Sequence, residues 1–151
     1  MIDYPEIIIR LGVATLVGAA VGLNRELHGK PTGVRTLGLV GLGSALAMMA
    51  SLDLASSDAV ADLNASSRVI QGVLAGIGFL GAGVIVRNQG LHIQGLTTAA
   101  CIWVTAAIGI ICGLGAWRPL FVALPLIFII LIVGGPIEKA LQRRWAKPDD
   151  D

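Results

Sequence analysis

The chain reads as an all-α membrane protein, a bundle of five transmembrane helices with its N-terminus outside and its C-terminus cytoplasmic. Three observations predict this. Of its 151 residues 55% are hydrophobic and only 14% are charged, against about 25% charged in an ordinary soluble domain. The mean hydropathy is +0.81. Five apolar stretches are each long enough to cross a bilayer, which takes about 20 helical residues. Strands fit poorly here. Open ones leave backbone N–H and C=O groups unpaired in hydrocarbon, and these stretches are too long and continuously apolar for barrel strands.

The first stretch, residues 6–23, follows Pro5. The opening MIDYPEIIIR places Asp3 and Glu6 where a secretory signal carries basic residues, so this segment is expected to be retained. The second, 34–52, follows the turn signal GKPTG. The third covers 69–86 and the fourth 96–117. The fifth begins at Pro119, a favoured early helix position. It is expected to bend at Pro125 and to stop near the Gly-Gly-Pro of 134–136. Residues 1–138 are thus expected to form a transmembrane domain, and 139–151 a cytoplasmic tail too short to fold by itself.

Basic residues orient the bundle. Arg25, Lys30 and Arg35 lie in the first connection, Arg87 in the third, and Lys139, Arg143, Arg144 and Lys147 in the tail. With alternating segments all eight fall on one side, while the other carries Asp3, Asp53, Asp58 and Asp62 with Arg68 and Arg118. The positive-inside rule makes the basic side cytoplasmic. Arg10, within the first segment, reads either as snorkelling to the outer interface or as pairing with Asp53.

The stretch LAGIGFLGAGVIV contains a literal G-x-G-x-x-G at Gly76, Gly78 and Gly81. A dinucleotide site needs a preceding strand and an acid about 20 residues on. That distance leads instead to Cys101 and Ile102, inside an apolar segment. With Gly83 the glycines spread around a helix at about 100° per residue. This suits a helix approached closely on several sides at the bundle centre, or one locally unwound as in transporters with broken helices. Gly18 with Gly22, and Gly72 with Gly76, are small residues at i, i+4 that let membrane helices approach closely. Thr97, Cys101, Thr105, Gly109 and Gly113 form a five-step ladder of the same spacing. These faces read either as internal packing or as surfaces for a homodimer or a membrane protein partner.

Cys101 and Cys112 would stand about 16 Å apart along one helix, too far for a disulfide. His28 and His92 lie in loops without a second ligand at metal spacing, and Asp58 with Asp62 read as a solvated loop. No metal site and no cofactor are expected. With no nucleophile–base–orienter set, enzymatic function is not expected either, and nothing in the charge distribution points to nucleic acid. Gln71 reads as an interhelical hydrogen-bond donor. On the basic face Arg25, Glu26, Lys30 and Arg35 flank a proline–glycine turn, and Arg87 and Gln94 flank the facing loop. These six read either as topology anchors on anionic headgroups or as a polar site orienting a ligand or partner.

Three ordered blocks, GKPTGVRT, GIGFLGAGVI and GLTTAACIWVTAAIG, closely resemble the membrane domain of the MgtC/SapB family of bacterial inner-membrane proteins; the resemblance covers about residues 11–115. The family's Glu-Arg-Glu at the end of the first helix is Asn24-Arg25-Glu26 here, and its acid before the third helix is absent from NASSR. Members with a soluble ACT-like C-terminal domain are longer than this chain. The resemblance implies a multi-pass protein tied to growth at low magnesium and, in pathogens, to survival inside macrophages. For some members it implies interaction with the F-type ATP synthase. The residues leave two mechanisms open. A magnesium path is expected to show intramembrane carboxylates, and none lies near a segment midpoint, which favours a non-enzymatic modulator of ion homeostasis or of a partner complex. Glycine-rich backbone can present carbonyl oxygens to an ion, which keeps a direct cation transporter or channel as the alternative.

Overall fold

The computed structural model describes residues 2–53, 59–87 and 93–145. It contains five helices: α1 (Tyr4–Leu27), α2 (Val34–Asp53), α3 (Ala59–Gly83), α4 (Leu96–Leu114) and α5 (Trp117–Trp145). Each includes a span of 19 to 24 residues apolar enough to cross a membrane. Between α3 and α4 the chain forms a two-residue antiparallel ladder, β1 (Val86–Arg87) with β2 (Ile93–Gln94), pairing Val86 with Gln94 and Arg87 with Ile93. His92, Asp58 and Lys147 lie outside the described residues.

Several helix ends differ from the sequence expectation. α3 starts ten residues earlier, at Ala59, because hydropathy marks the apolar stretch and not the polar turns that extend a helix beyond it. No strand precedes Gly76, and the helix is continuous through all of its glycines to Gly83. α4 stops at Leu114, short of Trp117. There Gly115 adopts φ +71°, and the N–H groups of Gly115 and Ala116 return to the carbonyls of Cys112 and Ile111. This paired closure ends a helix by satisfying carbonyls that would otherwise have no partner. α1 ends the same way at Gly29 (φ +63°), with Gly29 and Lys30 donating to Glu26 and Arg25. α5 runs past Gly134-Gly135-Pro136 to Trp145, with Pro125 and Pro136 inside it. The expected boundary at residue 138 therefore falls within a continuous helix.

The chain divides into two units, Met1–Trp117 and Arg118–Asp151. In the first, α1, α2 and α4 make the core, with α3 against α4 and α2. Small residues set the spacing. A Cβ on Gly18 would collide with the carbonyl of Leu37, one on Gly41 with that of Ala14, and one on Gly109 with that of Gly41. One on Gly113 would lie 2.7 Å from the Ala45 carbonyl, and one on Gly22 2.6 Å from that of Gly33. These helices touch backbone to backbone, the geometry that glycine permits between membrane helices. Ala14, Leu37, Ala45, Met48, Ala106 and Thr105 are fully buried among them. In the second unit α5 exposes Phe121, Leu126, Ile130 and Val133, the last three sharing one face at i, i+4 and i+7.

The ladder on α4 divides. Cys101, Thr105, Gly109 and Gly113 are buried, whereas Thr97 is exposed. A four-residue step advances about 400°, so each step drifts by about 40° and the first rung leaves the face that the later ones share. The central position expected for the glycine-rich third segment is taken instead by α1, α2 and α4. Added Cβ atoms on Gly72, Gly76, Gly78 and Gly83 would meet nothing within 4 Å, and one on Gly81 only Ala99, at 3.5 Å. Gln71, expected to bridge helices, is exposed.

Candidate functional site at the junction of α1 and α4

α1 and α4 run antiparallel, and arginines of α1 meet both ends of α4. Near the start of α1, Arg10 donates from Nη1 to the Gly113 carbonyl at 2.8 Å and from Nε to Glu6 at 2.7 Å. The Asp53 side chain, its expected alternative partner, lies outside the described residues, and Arg10 turns to α4. It caps a helix C-terminus, where a cation is favoured by the helix dipole, and the i, i+4 ion pair with Glu6 holds it there.

At the far end Arg25 points inward and is only 3% exposed. Its Nε donates to the Pro31 carbonyl and Thr32 Oγ1, both at 3.3 Å. Nη2 donates to Thr98 Oγ1 at 2.5 Å and to Pro31 O at 3.3 Å, and Nη1 reaches Cys101 Sγ at 3.4 Å. Every acceptor is neutral. Among the described residues the only ion pair is Arg10 with Glu6, so the Arg25 guanidinium is buried against hydrogen-bond acceptors alone. A planar fork of five N–H donors can reach the turn after α1 and the first two turns of α4 at once, which a lysine cannot. The backbone of Arg25 serves the same turn, its carbonyl accepting from His28 and Lys30.

Glu26, Lys30 and Arg35 of the expected polar site point elsewhere, and the Arg87 side chain lies outside the described residues. Glu26 is exposed, and its Oε2 accepts from the Val34 N–H at 3.4 Å, at the start of α2. A carboxylate there satisfies an unpaired donor and suits the positive end of the helix. Lys30 is exposed, and Arg35 is exposed beside a shallow depression lined with Thr36, Leu39 and Val40. Arg87 lies in β1 and Gln94, exposed, in β2. Among the described residues no side-chain hydrogen bond joins Arg25, Glu26, Lys30 and Arg35 to one another. His28 caps its own helix, with Nδ1 2.7 Å from the Asn24 carbonyl. The sequence reading missed Thr32, Thr98 and Cys101 as partners of Arg25. The available signal was a pair of polar residues, Thr97 and Thr98, at the start of an apolar segment, and nothing local says which of the two turns inward.

Five apolar helices, a core closed by glycine-to-backbone contacts and a polar junction at one end define a small multi-pass helical membrane protein. The chain belongs to the MgtC family, whose model matches residues 11–140. It is 46% identical over 123 residues to Protein SrpB of Synechococcus elongatus, covering 77% of this chain and 68% of that one. It is 48% identical over 118 residues to the Putative magnesium transporter YhiD of Escherichia coli, covering 75% and 53%. With Protein MgtC of Salmonella typhimurium it shares 36% over 143 residues, covering 95% and 57%. The chain thus spans about two thirds of SrpB and little more than half of YhiD and MgtC. No solved structure matches it.

Proposed function

We propose that this chain is a non-enzymatic modulator of magnesium or ion homeostasis in the bacterial inner membrane. The object of that modulation is either ion homeostasis itself or a partner membrane complex such as the F-type ATP synthase, and the N-terminus lies outside with residues 139–151 cytoplasmic. The observation that carries this reading is Arg25. An ion crossing the interior of α1, α2 and α4 would meet a buried guanidinium bonded only to neutral groups, and a fixed positive charge in a narrow path repels cations. The same interior is closed by backbone contacts at Gly18, Gly41 and Gly109. On the basic face Lys30, Arg35 and Gln94 are exposed, free to meet headgroups or a partner, and α3 offers its open glycines to a second copy or a partner helix.

Direct cation transport is the second reading. The name Putative magnesium transporter, carried by YhiD, favours it. Purified protein in liposomes separates the two. Robust magnesium flux that falls in Arg35→Ala and Glu26→Ala would establish transport and overturn the modulator. No flux, together with co-purification of a membrane partner lost in Arg35→Ala, is the result expected here.

A further inference from the structure

We propose that residues 28–33 form a strap latched over the start of α4 by Arg25, and that release of the strap uncovers Arg25, Thr98 and Cys101. The strap is anchored at its two ends and at the guanidinium. His28, Gly29, Lys30 and Pro31 are exposed. The His28 ring reaches the Asn24 carbonyl, and the helix-end bonds go to Arg25 and Glu26. Gly33 packs on the Gly22 backbone and the Glu26 carboxylate and accepts from the Leu37 N–H. Between the ends, among the described residues, only the guanidinium reaches Pro31 O and Thr32 Oγ1 from outside the strap. Among the described residues no carboxylate pairs with Arg25, so the latch consists of hydrogen bonds to neutral acceptors, weaker than those of a charged pair.

The closed strap also holds an unfavourable backbone. Thr32 sits at φ +65°, the only non-glycine residue with positive φ among those described. A β-branched residue in that region is strained and persists only where its surroundings hold it. What holds it from outside the strap is Arg25, whose Nε contacts both the Thr32 hydroxyl and the preceding carbonyl, to which that hydroxyl also donates. Gly29, at φ +63° with open space around it, lies at the other end of the strap. One side chain therefore restrains a strained segment and at the same time covers a thiol, with Nη1 3.4 Å from Cys101 Sγ.

The thiol reports on the latch. In a Cys112→Ala background Cys101 is the sole cysteine, and its rate of modification by a small maleimide in proteoliposomes measures opening. Arg25→Gln, which keeps a hydrogen-bonding group and loses the fork, is expected to raise that rate about tenfold or more. Thr32→Asn keeps an acceptor and tolerates left-handed backbone several-fold better, so it should slow modification by about threefold. The second variant does not alter the buried core, and it decides the matter even where Arg25→Gln fails to fold. Equal rates in wild type and Thr32→Asn, a faster rate in Thr32→Asn, a folded Arg25→Gln at the wild-type rate, or a wild-type thiol that never reacts would each overturn the strap.

Discussion

Arg25 and Thr98, 73 residues apart in sequence, are joined by a 2.5 Å hydrogen bond from Nη2 to Oγ1 that fastens the last turn of α1 to the first turn of α4. At the opposite end Arg10 does the same with the Gly113 carbonyl. α4 is therefore tied at both ends to a single neighbouring helix, and most of the predictions concern these ties and the glycines between them.

Removing the inner tie should destabilise the bundle. Arg25→Ala leaves the buried Thr98 hydroxyl without its donor and the Pro31 carbonyl with the Thr32 hydroxyl alone, and hydrogen bonds to charged groups are worth about 1.5–3 kcal/mol each. A net loss of about 2 kcal/mol is expected, with Arg25→Lys intermediate because an ammonium cannot span the same acceptors. Thermal unfolding in detergent, followed by tryptophan fluorescence, measures it. An unchanged midpoint in Arg25→Ala would show that the network contributes nothing.

The outer tie can be isolated by comparing two glycines. Gly29 and Gly115 both have positive φ, but a Cβ on Gly29 meets nothing, whereas one on Gly115 would lie 2.5 Å from Arg10 Nη2. Gly29→Ala should cost about 1 kcal/mol of backbone strain. Gly115→Ala should cost more by the displacement of Arg10, and in an Arg10→Ala background the two costs should converge. A double-mutant cycle on unfolding midpoints tests this, and additivity between positions 10 and 115 would refute the coupling.

Glycines on α4 and α3 should respond oppositely to the same change. Gly109→Ala pushes a methyl group into the Gly41 carbonyl and Gly113→Ala into that of Ala45; overpacking of this kind costs about 1–3 kcal/mol. Gly76→Ala meets open space and should be neutral or stabilise α3 by up to about 1 kcal/mol. Equal destabilisation at positions 76 and 109 would contradict this packing.

The open face of α3 also bears on the proposed homodimer. Gly72→Leu with Gly76→Leu should lower crosslinking yield in membranes several-fold while leaving the monomer folded, since small residues at this spacing let two helices approach. Unchanged crosslinking would move the interface away from α3, and monomers alone by light scattering, with no crosslinks in membranes, would remove the dimer.

Topology is tested most simply. Reporter fusions at residue 29 should report the cytoplasm, with Arg25, Lys30 and Arg35 nearby as the positive-inside rule requires. A periplasmic signal there would invert the bundle.

Much of this was legible in the sequence, for a physical reason. Hydrocarbon demands about 20 apolar residues per crossing and internally paired backbone, so the number and order of helices follow from composition alone. The three motif blocks carried the family. Less legible were the helix ends: polar residues before Val69 and the Gly-Gly-Pro near residue 135 look like stops, yet α3 and α5 continue through both. Glycine content was a poor guide to position, because a glycine has the same composition whether it admits a neighbour's carbonyl, as Gly109 does, or faces open space, as Gly76 does. Arg25 shows the same division. Its sequence made it a basic residue at the end of an apolar segment, suited to topology and headgroups. Only the approach of α4, through contacts with residues 98 and 101, turned it inward and made it the buried tie of the junction. The hydrophobic pattern is local and can be read along the chain, whereas which side chain faces which neighbour depends on helices brought together from distant positions.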